Sequence, residues 1–316
     1  MGGADATTTT NGDGRYAFLV QPSNGYTVTP TDPRAVFSPP TRSVLAGTVD
    51  VGGLDFVAQA TTGVSLAAAV LPSSRSVQVG SPATAFATII NLSLATATTC
   101  GIAAPTTIPT VFRYQTTDPS TNAVTGSPNT PVTIPGGGLQ TYVVALTPTG
   151  SFSSADVRFG FHCDNSPIAP VVLGLNTLLL SASTTPVPDI VALAATLTND
   201  GIVNVPGATG TGVFAVATSN VGTGGSITVS ADTGSANLLV GITLCQTNPA
   251  TGACLASPTQ TVTTQINASA TPTFGIFVAG TGTVPFDPAN NRVFVRFKDA
   301  GGVTRGSTSV AVRTKP

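Results

Sequence analysis

Apolar and polar residues alternate in short runs along most of this 316-residue chain. An alternation with a period of two is typical of half-buried β-strands, and Gly, Pro, Asn and Asp between the runs are typical of turns. The pattern therefore predicts an all-β protein. The strand candidates are 75–80, 84–90, 110–117, 141–148, 156–163 and 176–183, followed by 201–205, 212–219, 225–231, 239–246, 261–268, 273–280, 292–299 and 307–314.

The second half of the chain resembles the first. Three pairs of segments match in the same order: the segment from Leu66 with that from Leu193, residues 114–128 with 245–258, and residues 155–165 with 291–301. Solenoid repeats are roughly 20–50 residues long, and the period here is roughly 130 residues. The repetition therefore predicts two tandem domains.

Each repeat carries enough strand candidates for an immunoglobulin-like β-sandwich, with a jelly roll as the main alternative. We predict such sandwiches over residues 64–183 and 189–314, and a partial β-sandwich over residues 1–58. The segment TTPVP (184–188) has two prolines, which favours an extended, semi-rigid spacer between the repeats. A shorter joint, QATTG (59–63), precedes the first repeat.

The composition supports strands over helices and excludes two classes of partner. Charged residues make up 8% of the chain, Glu is absent, and Lys298 and Lys315 are the only lysines. Glu and Lys favour helices, so we expect almost no helix. The net charge is −1 without a basic cluster, which argues against nucleic-acid binding. The most apolar run, 169–183, is interrupted by Gly and Asn and is too short for a spanning helix, so we predict no membrane insertion.

The four cysteines fall into one pair in each repeat. Cys100 and Cys163 belong to the first, and Cys245 and Cys254 to the second. The last two enclose QTNPATGA, a turn-rich octet that would bring them together across a hairpin. An even number grouped within domains favours disulfides and an oxidising compartment, with buried free thiols as the alternative. Neither a C-x₂-C spacing nor a second histidine supports a zinc site.

The sequence offers little catalytic chemistry, and we predict that the chain is not an enzyme. Its only histidine, His162, alternates with Phe159 and Phe161 and should point outward from a strand. A Ser-His-Asp site or a two-carboxylate glycosidase site therefore has no clear candidate residues. No cofactor is predicted.

Most of the aspartates lie in turn contexts, and the hydrogen bonds that Asp makes in turns account for their presence without a catalytic role. They are Asp13, Asp32, Asp118, Asp200 and Asp287. Oxygen ligands for calcium are conceivable in TNGDG (10–14) and FDPANN (286–291), although a plain turn is favoured at both places and no metal site is predicted.

Three other features concern the surface. Asn91 and Asn267 each fit the N-glycosylation acceptor pattern. The glycine-rich segments 135–138 and 222–226 lack the lysine of a phosphate loop and are interpreted as hairpin turns. Tryptophan is absent, so any sugar platform would depend on Tyr or Phe.

Residues 1–58 resemble the later half of a carboxypeptidase-regulatory-like, prealbumin-like sandwich domain. The matching segments are 13–18, 25–30, 37–39 and 51–56. This resemblance implies a secreted or cell-surface bacterial protein. Residues 64–314 resemble the Thr/Gly/Ala-rich immunoglobulin-like repeats of large secreted bacterial proteins, which implies the same location. In the family, further strands precede the Asp-Gly turn, so we expect the first domain to be incomplete.

Together these features predict a non-catalytic extracellular structural or adhesive module, a stalk or fibre segment of a bacterial surface protein. The strands absent from the first domain are expected either in sequence that precedes residue 1 in a longer chain, which is the favoured interpretation, or in a neighbouring copy. A strand supplied by a neighbouring copy would allow self-assembly by strand addition. The expected partners are other copies of the chain or other surface proteins, and glycan is possible. The alternative function is a polysaccharide-binding accessory region of a secreted hydrolase.

Overall fold

The computed structural model describes residues 6–11, 14–32, 35–60, 63–105 and 108–315. Within these ranges the chain forms strands and no helix, as the alternation predicts. The described residues accordingly contain no helix that could span a membrane. The strands before the first repeat are β1 (Gly25–Val28), β2 (Ala35–Ser38), β3 (Arg42–Leu45) and β4 (Val57–Ala60).

Among the described residues, ten strands form the first repeat and nine form the second. Those of the first are β5 (Leu66–Leu71), β6 (Ser74–Gln78), β7 (Ala83–Asn91), β8 (Ala97–Ala103), β9 (Thr110–Thr117), β10 (Val132–Ile134), β11 (Leu139–Pro148), β12 (Phe152–Arg158), β13 (Gly160–His162) and β14 (Thr177–Ser183). Those of the second are β15 (Ile190–Thr196), β16 (Ile202–Pro206), β17 (Thr211–Asn220), β18 (Gly225–Asp232), β19 (Val240–Thr247), β20 (Thr261–Ile266), β21 (Thr273–Gly280), β22 (Arg292–Asp299) and β23 (Thr304–Lys315).

The second repeat is an immunoglobulin-like sandwich of two sheets. One sheet has the order β15-β17-β21-β19 and the other β16-β23-β22-β18-β20. The chain changes sheet between β15 and β16, and β16 then runs parallel to the last strand, β23. This switch of the first strand between sheets is a feature of immunoglobulin-like topology.

The first repeat has the same topology with one interruption. Its first sheet has the order β5-β7-β11-β9, and β6 runs parallel to the last strand, β14. The strand that corresponds to β22 is broken at the buried Phe159 into β12, which pairs with β14, and β13, which pairs with β8. The candidate strand 156–163 is therefore two strands.

Alternation determines which side chains fill each core. Along β17, residues at every second position are buried, and their neighbours lie on the outer face. One core extends from Val64 to Leu180 and the other from Ile190 to Val312, each inside one predicted repeat. Phe161 and Phe297, which the sequence alignment pairs, are 1% and 0% exposed.

The start of the sequence alignment, by contrast, is wrong by three residues. Leu66 lies opposite Asn91 in the β5–β7 pair, whereas Ile190, not Leu193, lies opposite Asn220 in the β15–β17 pair. Asn91 and Asn220 occupy equivalent positions in the two sandwiches, since each Nδ2 donates to three backbone carbonyls. Runs of Leu and Ala align almost equally well in several registers, so the sequence could not fix this one.

The predicted spacer and the predicted hairpins also differ from the structure. Pro188 and Asp189 are buried, and Val187 accepts a hydrogen bond from Thr223 N, so the end of the 184–188 segment packs on the second sandwich. Residues 222–226 and 135–138 do not form hairpins, because the strands on either side of each segment belong to different sheets. Of the joint 59–63, residues 59 and 60 are the end of β4, and residues 61 and 62 lie outside the described residues.

The region before the first repeat forms two separate two-stranded sheets, β1-β3 and β2-β4. Their side chains alternate between exposed and half-buried positions, and Ala46 is the buried apolar residue described there. Val36, Leu45 and Val57 are more than half exposed. The described part of this region therefore has strands but little core of its own.

Candidate functional site: the cleft between the two sandwiches

The two sandwiches are in direct contact through an exposed edge of β23. Strand β16 covers only Ala311–Lys315 of β23, which leaves the earlier part of that edge without a strand partner. Serines at the start of β6 take the place of the missing strand. Ser74 Oγ accepts from Ser307 N at 2.6 Å and donates to Ser307 O at 3.0 Å, and Ser73 Oγ donates to the same oxygen at 2.9 Å. We call this contact between the sandwiches, which begins at these three serines, the polar joint.

An ion pair lies at the other end of the polar joint. Arg75 Nε and Nη2 lie 3.0 and 2.9 Å from Asp189 Oδ2, and Ser76 N donates to Asp189 Oδ1 at 2.9 Å. The two charged side chains are 15% and 5% exposed. Burial raises the pKa of Asp189, and Arg75 and Ser76 N partly offset this effect. The pair joins β6 of the first sandwich to the first residue before β15 of the second.

A second buried group extends the contact. Arg305 Nε lies 2.6 Å from Asp299 Oδ2, and Arg305 Nη1 donates to Ser181 Oγ of the first sandwich at 3.3 Å. Ser181 Oγ in turn hydrogen-bonds Ser76 Oγ. These polar groups are hydrogen-bonded, which is the condition under which burying them is tolerated. The joint is thus a satisfied polar interface.

Beside the joint lies a cleft of about 580 Å³ with one wall from each sandwich. Its charged lining comes from Asp156 and Arg158 on β12, Asp232 on β18, and Arg292 and Arg296 on β22. Val171 and Leu173 supply an apolar stretch of wall. A volume of roughly 300–1,000 Å³ is typical of small-molecule sites.

Arg292 is the most unusual residue of the cleft because it is a cation that is only 6% exposed. Its Nε and Nη2 donate to Ser309 Oγ at 3.2 and 2.9 Å, and Nη1 donates to Pro288 O at 2.8 Å. Within the described part of the chain it has no carboxylate partner. Burial lowers its pKa to about 10. Ser309 Oγ also donates to Gly174 O of the first sandwich at 2.9 Å, so Arg292 supports a bond across the joint.

Phe294 and Arg296 form the middle of the wall from β22. The Arg296 guanidinium lies 5.0 Å from the Phe294 ring centroid and bonds Asp232 through Nε at 2.6 Å and Nη2 at 3.2 Å. Burial would raise the pKa of Asp232, but hydrogen bonds from Arg296 and Gly234 N outweigh it and lower that pKa. Gly174 has a φ of +72° and touches Phe294 so closely that a Cβ there would overlap the ring.

Both cysteine pairs are disulfides in the structure. Cys100–Cys163 links strand β8 to the end of β13 and closes a separation of 63 residues. Cys245–Cys254 spans nine residues across the hairpin after β19, and Thr247 pairs with Cys254 in an isolated bridge. Neither pair lies in the cleft.

Among the described residues, the other sequence candidates do not come together in one site. His162 Nδ1 lies 3.0 Å from Gly160 O, while Phe159 and Phe161 are buried. Asp118 and Asp200 accept backbone hydrogen bonds within their own turns, which lowers the pKa of each. No group of three or more His, Cys, Asp or Glu side chains lies together in the described residues.

The calcium and glycosylation candidates have mixed outcomes. Asp287 binds Asn290 through both its backbone N and its side-chain amide, which lowers the pKa of Asp287 and accounts for the turn. Part of the 10–14 loop, including Asp13, falls outside the described residues. Asn91 fits the acceptor pattern in sequence but is fully buried and bonded to three carbonyls, whereas Asn267 is exposed.

No protein-family model matches this chain, and no curated protein matches it. Among solved structures, it is similar to the secreted serine protease VesC from Vibrio cholerae, with 11% identity over 71% of this chain and 48% of that protein, at a TM-score of 0.24. It is also similar to the major pilin subunit BcpA of Bacillus cereus, with 12% identity over 65% of each chain, at a TM-score of 0.27.

A third similar structure is the CupB6 tip adhesin of Pseudomonas aeruginosa, with 12% identity over 80% of this chain and 98% of that one, at a TM-score of 0.23. The chain spans less than two thirds of the first two proteins. Scores and identities this low do not establish a shared function. The sandwich fold is therefore established by the strands and their pairing.

Proposed function

We propose that this chain is a non-catalytic extracellular segment with a structural or adhesive role in a surface protein of bacterial type. The observation that carries the proposal is the polar joint, in which Ser73, Ser74 and Arg75 of one sandwich bind Ser307 and Asp189 of the next. A joint of this kind holds two sandwiches in one orientation, as a stalk requires. The two disulfides favour an oxidising, extracellular location.

A mechanical role predicts a specific extension under force. An unfolded chain spans at most about 3.3–3.6 Å per residue. The Cys100–Cys163 bond encloses a separation of 63 residues, so it keeps about 220 Å of chain from extending. In single-molecule pulling of the full chain from its two ends, the oxidised first sandwich should lengthen by about 220 Å less than the reduced one.

Two measurements would count against this role. One is extension of the oxidised chain at negligible force, because a structural segment must resist load. The other is alkylation of four free thiols, without reduction, in protein taken from the organism that makes it. Such thiols would place the chain in a reducing compartment, contrary to the extracellular assignment.

Self-assembly by strand addition is a finer proposal, supported by the region before the first repeat. Sheets β1-β3 and β2-β4 have two strands each, and their exposed apolar side chains include Leu45 and Val57. Sheet edges and faces of this kind pair readily with another chain. We commit to a second copy as the occupant. Analytical ultracentrifugation should show association that rises with concentration and disappears when residues 14–60 are deleted. A monomer at high concentration would refute it.

The cleft favours the second candidate function, a polysaccharide-binding region of a secreted hydrolase. It is concave, lies where two domains meet, and combines polar groups with the apolar wall of Val171 and Leu173, as carbohydrate and small-molecule sites do. A glycan-binding stalk would combine both roles, so the two candidates are compatible. Retention of the chain on an immobilised polysaccharide would support the second candidate, and absence of retention on a broad polysaccharide panel would remove it.

A further inference from the structure

The charges of the cleft do not balance. Asp232 is engaged by Arg296 through two hydrogen bonds, so these two side chains neutralise each other. Arg158 and Arg292 remain, opposed by Asp156 alone. Arg158 and Asp156 are exposed on β12, and their side chains make no hydrogen bond or ion pair with the described residues. The cleft therefore carries one excess positive charge.

The buried Arg292 guanidinium carries a positive charge at a site where its attraction for a bound anion is strong. The partners of Arg292 are the neutral oxygens of Ser309 and Pro288, which fix the guanidinium but leave its charge uncompensated. A guanidinium has five N–H donors. One hydrogen of Nη1 has no acceptor among the described residues. Electrostatic attraction is stronger at a desolvated site than in water, and arginine suits the planar geometry of a carboxylate.

We propose that this cleft binds the carboxylate of an acidic sugar, with Arg292 at its floor and Arg158 at its rim. This inference rests on the second candidate function. The cleft has the volume of a small-molecule site, and its hydroxyl and amide groups, including Ser235 and Asn290, can bind sugar hydroxyls. The apolar wall formed by Val171 and Leu173 can contact the C–H face of a sugar ring.

The test is calorimetric titration of the full chain with a trimer of galacturonic acid and, as a matched neutral probe, a trimer of galactose. The acidic trimer should bind and the neutral trimer should bind at least about tenfold more weakly, because only the acid pairs with the arginines. Added salt should weaken binding of the acid selectively, since mobile ions screen the rim charge.

Variants locate the binding. Arg158→Ala should weaken binding of the acidic trimer by about tenfold, and Arg292→Met should weaken it more. Arg113→Ala is the matched control, because Arg113 is an exposed strand arginine outside the cleft whose side chain makes no hydrogen bond with the described residues. Circular dichroism and a thermal melt report whether Arg292→Met is folded. If it is not, Arg158→Ala decides the question by itself.

Each other outcome overturns the proposal in a recognisable way. Equal binding of the two trimers would refute carboxylate recognition while leaving polysaccharide binding intact. Binding of the acid that neither cleft variant weakens would place the site elsewhere. Failure of both trimers to bind at about 10 mM, a concentration that detects even weak sites, would refute an acidic-sugar site of this kind. The polysaccharide panel tests the broader function separately.

Discussion

The ion pair between Arg75 and Asp189 gives the joint its most direct test. Replacing Arg75 with Met keeps much of the volume of the side chain but leaves the Asp189 carboxylate, 5% exposed, without a counter-charge. Removing one partner of a buried ion pair typically costs about 3–5 kcal/mol. Both side chains are well below one third exposed, so we expect Arg75→Met to lower the free energy of unfolding by about 3 kcal/mol at neutral pH.

The reciprocal substitution should be milder. Asn at position 189 retains an oxygen that can accept the hydrogen bond from Ser76 N, and Arg75 keeps its bond to Thr84 O at 2.6 Å. Burial already raises the pKa of Asp189, which means that the site tolerates a neutral group. We expect Asp189→Asn to cost about 1–2 kcal/mol. The double variant should be more stable than Arg75→Met alone, because it carries no unpaired buried charge.

The pH dependence follows from the same pKa. A carboxyl whose pKa is raised in the folded state binds a proton more readily there than in the unfolded chain. Its contribution to stability is therefore complete below the unfolded pKa of about 3.9 and is lost as the pH rises through the folded value. In Arg75→Met the pKa of Asp189 is raised further, since the arginine no longer favours the charged form of Asp189. The stability deficit of the variant should shrink as the pH falls toward 4.

Urea denaturation followed by circular dichroism at pH 7 and at about pH 4.5 measures both effects, the lower pH lying near the unfolded pKa. Arg113→Met, on an exposed strand position, is the control and should change the free energy of unfolding by less than about 0.5 kcal/mol. If Arg75→Met costs no more than this control, or costs the same at both pH values, the pair does not hold a buried charge and the account of the joint is wrong.

Three further predictions concern the sandwiches themselves. Replacing Cys100 and Cys163 with Ser should lower the free energy of unfolding of the first sandwich by about 4 kcal/mol from loop entropy, and a change below about 1 kcal/mol would contradict this. Asn220→Ala should cost about 3 kcal/mol in urea denaturation, since it leaves buried backbone groups unsatisfied; a neutral effect would show that water replaces the amide. Gly306→Ala should lower the melting temperature, because its Cβ would overlap β15, whereas Gly241→Ala has open space and should not; equal effects would refute the close packing.

Alternation predicted the strands well because it reports a local property. A strand with one buried face must alternate, so β9 (Thr110–Thr117) and β21 (Thr273–Gly280) could be predicted with their observed ends. β5, β8, β10 and β15 were not among the candidates: β5 and β15 are rich in Ala, β8 has polar residues near its start, and β10 is three residues long. Alternation alone does not say which strands pair, and the 222–226 segment was misinterpreted as a hairpin for this reason.

The joint could not be predicted because its residues have other common uses. Threonines and prolines between strands usually indicate a solvent-exposed loop or a spacer, and TTPVP followed by Asp189 has that composition. The structure instead buries Pro188 and Asp189 and uses Ser74 to complete the edge of β23. Ser74 and Ser307 are 233 positions apart, so no local pattern could connect them.

The cleft was missed for the same reason, although the repeat alignment contains a clue to it. Aligning residues 155–165 with 291–301 pairs Asp156 with Arg292 and Arg158 with Phe294. All four residues line the cleft, so corresponding positions of β12 and β22 supply its two walls. Neither sandwich alone can form the cleft. The polar joint that fixes their orientation is thus also what creates the candidate binding site, and a variant that loosens the joint should weaken binding in the cleft without altering any residue that lines it.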